Sequence, residues 1–139
     1  MKNWKKQTGV WIDSTEAVIV TLFDGNENIT EIKSGIDNKI YRDDEGYKGT
    51  FSGNRHGNSE QKFNDRKKHE LDSFLNNVLS QVKESDEIFI FGPAETKTKL
   101  QEIIYHEKLI NIQKLKSVQT ASKMSPNQIL ANVKNFYKN

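Results

Sequence analysis

The run Glu87-Ile88-Phe89-Ile90-Phe91-Gly92-Pro93 constrains this chain more than any other stretch. Two β-branched and two aromatic side chains in succession favour extended backbone. Successive side chains of a strand point to opposite faces, so an unbroken apolar run must be covered on both sides. This predicts a central strand of a sheet with helices packed on each face. Gly92-Pro93 ends it, because proline has no N–H to give to a ladder.

The other elements fit around that strand. Val10-Trp11-Ile12-Asp13 and Ala17-Val18-Ile19-Val20-Thr21-Leu22-Phe23 read as strands joined by a tight turn at Asp13-Ser14-Thr15. Asp24-Gly25-Asn26 is a second turn signal, and residues 28 to 33 alternate as a third strand. After the central strand, a helix from about Glu95 to His106 buries Leu100, Ile103 and Ile104, and a fifth strand is predicted from Ile112 to Val118. Ser125-Pro126-Asn127-Gln128 marks the start of a last helix, with serine as cap, proline in the first turn and glutamine closing a capping box. Its inner face is Ile129, Leu130, Val133 and Phe136. The order βββαβαβα is that of α/β proteins of the ribonuclease-H-like type, with a mixed sheet. At 139 residues without an internal repeat, residues 1–139 are expected to form one domain.

One segment departs from this regularity. Residues 35 to 58 hold five of the eight glycines and few apolar residues. Loops longer than about 12–15 residues inside a domain are functional or disordered. We expect a flexible inserted loop here. A helix follows, with Asn58 as its expected cap and Gln61 three residues on. Leu71, Phe74, Leu75, Val78 and Val82 form its apolar face. Its first half instead carries Lys62, Arg66, Lys67 and Lys68, cations that oppose the helix dipole. A loop bearing Arg42, Lys48, Arg55 and His56, backed by a cationic helix, suits contact with a phosphate backbone, although Asp43, Asp44 and Glu45 dilute its charge. A solvated charged face is the alternative.

Several chemistries are excluded or weakly supported. There is no cysteine, so disulfides, thiolate metal sites and cysteine nucleophiles are ruled out. His56, His69 and His106 lack metal-ligand spacing, and no cofactor or metal is expected. Asp13, the lone acid on the first strand, would serve a two-metal nuclease only with partners, and Glu95 is a loose substitute. A turn role is the simpler reading. Gly92-Pro93-Ala94-Glu95 joins a strand end to a helix start, which suits either an anion or a tight turn. No apolar run approaches the ~18 residues of a membrane span, and a cytoplasmic protein without membrane contact is expected.

His56-Gly57-Asn58-Ser59-Glu60-Gln61-Lys62-Phe63, followed by Arg66, resembles the segment around the Gly-Gly-Gln motif in the middle domain of archaeal and eukaryotic class-1 peptide-chain release factors. Gly57 matches the second glycine, Ser59 the following serine, Lys62 the basic residue and Phe63 the phenylalanine. His56 stands for the first glycine and Asn58 for the glutamine. Phe91-Gly92-Pro93-Ala94-Glu95 and Lys123-Met124-Ser125-Pro126-Asn127-Gln128 are similar to compact bacterial relatives of that domain. The resemblance runs from about Gly9 to Phe136.

It implies a ribonuclease-H-like domain that meets the ribosome and the tRNA acceptor end, in rescue or regulation of translation. His56, Gly57 and Asn58 would occupy the catalytic positions, and Arg55, Ser59, Lys62, Arg66, Lys67 and Lys68 the RNA-binding ones. Two further outcomes stay open. One is a peptidyl-tRNA ester hydrolase with a degenerate motif. The other is a protein-interaction module with no RNA role.

Overall fold

In a computed structural model, residues 5–35, 56–107 and 110–138 are described, with the side chains of residues 56–64 and 107 excepted. The elements are β1 Gln7–Ile12, β2 Glu16–Phe23, β3 Asn26–Lys33, α1 His56–Val82, β4 Glu87–Gly92, α2 Thr96–Glu107, β5 Leu115–Thr120 and α3 Pro126–Lys138. The sequence order is therefore βββαβαβα, as expected. The five strands form one mixed sheet in the order β3-β2-β1-β4-β5. The β1–β2 and β2–β3 pairs are antiparallel, whereas β1–β4 and β4–β5 are parallel.

The apolar run does what its pattern requires. Ile88 and Ile90 enter the core under α1 and α2, with Val10, Ile12, Ala17, Ile19, Phe74, Leu75, Val78 and Leu100. Phe89 and Phe91 enter the opposite core with Trp11, Val18, Val20 and two residues of α3, Ile129 and Val133. The four apolar side chains of β4 are all buried. Phe89 stacks on Phe91 at 4.6 Å and on Phe136 at 4.0 Å between ring centroids. At one end of the sheet, Thr8 and Ser85 share a buried hydroxyl–hydroxyl bond of 2.5 Å, and the Asp86 carboxylate accepts the Lys6 N–H at 2.8 Å. These contacts hold β1 to the α1–β4 link.

Two glycines allow close approaches, one between layers and one between neighbouring strands. A Cβ on Gly9 would overlap the methyl groups of Val133, so this position lets α3 lie against β1. A Cβ on Gly92 would overlap the Ile12 carbonyl oxygen, where β4 ends beside β1. The start of α3 is the expected capping box: Gln128 N–H donates to Ser125 Oγ at 3.2 Å, and Ser125 N–H to Gln128 Oε1 at 3.0 Å.

Two boundaries differ from expectation. The strand predicted from Ile112 begins instead at Leu115, after a 3₁₀ turn over Ile112–Lys114. Asn111 diverts the backbone there: its Oδ1 accepts the Gln113 N–H at 2.9 Å and its carbonyl the Lys114 N–H at 2.9 Å. The first helix begins at His56, so Gly57 and Asn58 lie inside it and Asn58 is not its cap. Asn and Gln occur both at caps and within helices, and one internal glycine costs only about 1 kcal/mol. The pattern therefore could not locate the boundary. The expected loop gives way to helix by residue 56, and its part from 36 to 55 lies outside the described residues.

Two measurements follow. Gly9→Ala should destabilise the fold by about 1–3 kcal/mol through overpacking on Val133. Val133→Ala should recover part of that loss, so chemical denaturation of the single and double variants should be non-additive. The Tyr137 hydroxyl donates to the Thr8 carbonyl at 2.7 Å. Burial foremost, and then the Glu87 charge, raise its pKa above the ordinary value of 10.0. An acid with a raised folded-state pKa stabilises fully below its unfolded pKa and loses that contribution as pH rises through the folded value. Stability should therefore fall above about pH 10, and less steeply in Tyr137→Phe.

Candidate nucleic-acid interface

A helix of 27 residues is about 40 Å long, roughly twice the length of the 6-residue strands β1, β4 and β5. The sheet can use only part of it. Phe74, Leu75, Val78, Leu79 and Val82 are buried, and Leu71 is partly buried against the same core. From 65 to 70 no side chain is buried. Among the described side chains, the apolar stripe that holds α1 to the sheet thus belongs to its second half. The first half carries the candidate residues.

The helix turn divides those residues. At about 100° per residue, positions 59, 62 and 66 fall along one line, on the side away from the buried stripe. Arg66 and Lys68 are exposed and Lys67 is half-buried. Lys67 and Lys68, turned by about 100° and 200° from Arg66, fall on the side of the apolar stripe instead. The four cations therefore do not share a single face. Acids are interspersed: Asp65 is exposed beside Arg66, and Glu70 holds one carboxylate oxygen out of solvent with no hydrogen-bond partner among the described residues. His56, Gly57, Asn58, Ser59 and Lys62 are placed by their backbone in the first two turns of α1. Arg55 lies outside the described residues.

Lys67 and Lys68 line a groove that the sequence did not reveal. Its walls are Leu71, Asp72 and Leu75 of α1, and Lys99, Glu102, Ile103 and His106 of α2. The spacing of Lys99, Ile103 and His106 marks one helical face, which was the available signal. Nothing local shows that this face meets α1.

Asp13 is a turn residue. Its Oδ1 accepts Thr15 N–H at 2.8 Å, Thr15 Oγ–H at 2.8 Å and Glu16 N–H at 2.9 Å. Among the described residues, no group of three or more His, Asp or Glu is placed to hold a metal ion. Residues 92–95 form a tight turn: Ala94 adopts φ 53°, the buried Lys97 ammonium donates to its carbonyl, and Ala121 N–H donates to Gly92 O at 3.0 Å. His69 and His106 are exposed, and His106 lies in the last turn of α2. No helix among the described residues is long and apolar enough to cross a membrane.

No family pattern matches the chain, and none of the curated proteins is significantly similar to it. Solved structures do match. Archaeoglobus fulgidus Pelota, whose structure shows inter-domain plasticity, superposes with a TM-score of 0.58 at 12% identity, covering 96% of this chain and 32% of that one. Thermoplasma acidophilum Pelota gives 0.50 at 15% identity, covering 97% and 32%. An archaeal translation termination factor, aRF1, gives 0.43 at 12% identity, covering 96% and 39%. The likeness rests on the two Pelota chains and shows that this chain shares the fold of part of Pelota. The chain spans 32% of the length of each Pelota protein.

The turn role of Asp13 predicts a stability effect rather than a catalytic one. Asp13→Ala should cost about 1–2 kcal/mol by loss of the hydrogen bonds to its carboxylate, with Asp13→Asn less damaging. Neither change should alter RNA cleavage measured with added magnesium or manganese.

Proposed function

We propose that this protein is a translation-associated RNA-binding protein that contacts the ribosome and the tRNA acceptor end through residues 53 to 68. The observation that carries this reading is the division of α1. The described core takes its α1 residues only from Leu71 onward. In the first half, which holds the residues that resemble the Gly-Gly-Gln segment, no described side chain is buried. Cations there gain nothing from the helix dipole and favour a phosphate partner. Lys62, Arg66, Lys67 and Lys68 would hold phosphate, with Arg55 and Ser59 beside them. The setting is rescue or regulation of stalled translation in the cytoplasm.

Docking rather than hydrolysis is the role favoured for His56, Gly57 and Asn58. Asn58 keeps the amide of the glutamine it replaces but is shorter by one methylene. An error of about 1 Å near a reacting centre can cost about a hundredfold in rate. A helical backbone also leaves unused the conformational freedom that glycine would supply.

Cosedimentation with ribosomes across a salt series tests the reading. Wild type should bind. Replacing Lys62, Arg66, Lys67 and Lys68 by glutamine should weaken binding and lower the log–log salt slope by about 0.7–0.9 for each phosphate no longer neutralised. Absence of wild-type binding would favour a protein-interaction module instead. Peptidyl-tRNA release then separates docking from hydrolysis. Retained binding with little release is expected, whereas efficient release abolished by Asn58→Ala would establish a hydrolase.

A further inference from the structure

We propose that the groove between α1 and α2 is a docking site for an amphipathic helix of a partner protein, with aliphatic anchors and acidic residues gathered at one end. The groove encloses about 560 Å³. Its floor is aliphatic: Leu75 is buried, and Leu71 and Ile103 are partly buried against the core beneath. Its charges are ordered along its length. Both helices lead into the amino ends of parallel strands, α1 into β4 and α2 toward β5, so they run in the same direction. Lys67 and Lys68 on α1 and Lys99 on α2 therefore lie toward one end of the groove. Asp72 and Glu102 come further along, and His106 further still.

This arrangement suits a helix better than a nucleic acid. Single-stranded nucleic acids bind by stacking bases on aromatic rings or arginine planes. The groove lining contains no arginine, and its one ring is the imidazole of His106. Asp72 and Glu102 would repel a continuous phosphate backbone, yet they can pair with a basic residue beyond a peptide's apolar stripe. A helix laid in a groove between two others supplies anchors at i, i+3 or i+4 and i+7. Its acidic end would face Lys67, Lys68 and Lys99. Such charge placement fixes the orientation of a partner more than it adds affinity.

The proposal shares Lys67 and Lys68 with the ribosome reading, and the two are told apart by Lys99 on one side and by Lys62 and Arg66 on the other. A display library of helical peptides, randomised on one face, is selected against the intact chain. The enriched peptides should share aliphatic residues at helical spacing and acids clustered at one end. Amide shifts on binding a synthetic enriched peptide should centre on residues 67–75 and 99–106. The Lys68→Glu/Lys99→Glu variant reverses two exposed charges and should weaken binding at least tenfold, with unchanged denaturation showing that it is folded. Lys62→Gln/Arg66→Gln should leave peptide binding unaltered while reducing any ribosome binding. Failure to enrich acidic helices, equal binding by the charge-reversed variant, or shifts elsewhere would overturn the proposal. A single-stranded RNA that perturbs the same amides when no peptide does would reassign the groove to nucleic acid.

Discussion

Burial of β4 on both faces is the constraint on which the rest of the structure depends. Its isoleucines and phenylalanines point to opposite sides, so neither face can be left to water. Each buried side chain of this size contributes about 1.5–3 kcal/mol, and exposing one face would forfeit two of them. Covering both requires helices on both sides. β4 runs parallel to β1 and β5, with α1 and α2 leading the chain back along one face. The opposite face is left to α3, which can approach because residue 9 is glycine. Layer order, strand direction and helix placement thus follow from one stretch of sequence and the reach of the chain.

The same constraint explains why α1 is divided. A strand of six residues supports only about three to four turns of helix alongside it. Among the described side chains of the remainder, those of residues 65 to 70, none is buried. With the helix beginning at His56, Lys62 to Lys68 lie in its second to fourth turns, beyond the reach of the helix dipole. The case for their use therefore rests on exposure, as at Arg66 and Lys68, and acids of the same helix offset part of the charge.

What could be read from the sequence was what depends on neighbours along the chain. The alternation and length of β4, the Ser125–Gln128 capping box and the Asp13 turn are each made by residues within a few positions of one another, and each is present. The resemblance at residues 56–63 also directed attention to α1 before any geometry was known. What escaped was what depends on rotation or on distant contacts. Lys62, Arg66, Lys67 and Lys68 look like one cluster on the line of text, yet 100° per residue separates Arg66 from Lys67 and Lys68. Lys99 and His106 join the latter pair only because the sheet sets α2 beside α1. The start of α1 was misplaced because Asn58 and Gln61 are equally compatible with a cap and with a helical turn.

That misplacement bears on the motif itself. The resemblance implies a loop at residues 56 to 58, and a loop of that kind draws on glycine for backbone angles closed to other residues. The observed backbone is helical from His56 onward. In a helix, histidine and asparagine are ordinary residues, each less favourable than alanine by well under about 1 kcal/mol. Gly57 is then the costly member, and its glycine character confers no conformational advantage there. Gly57, Ser59, Lys62 and Phe63 agree with the motif that the segment resembles, and His56 and Asn58 differ from it. The two differences fall where such a motif draws on conformational freedom and on reach. On the reading proposed above, this pattern favours recognition over chemistry at the tip of α1.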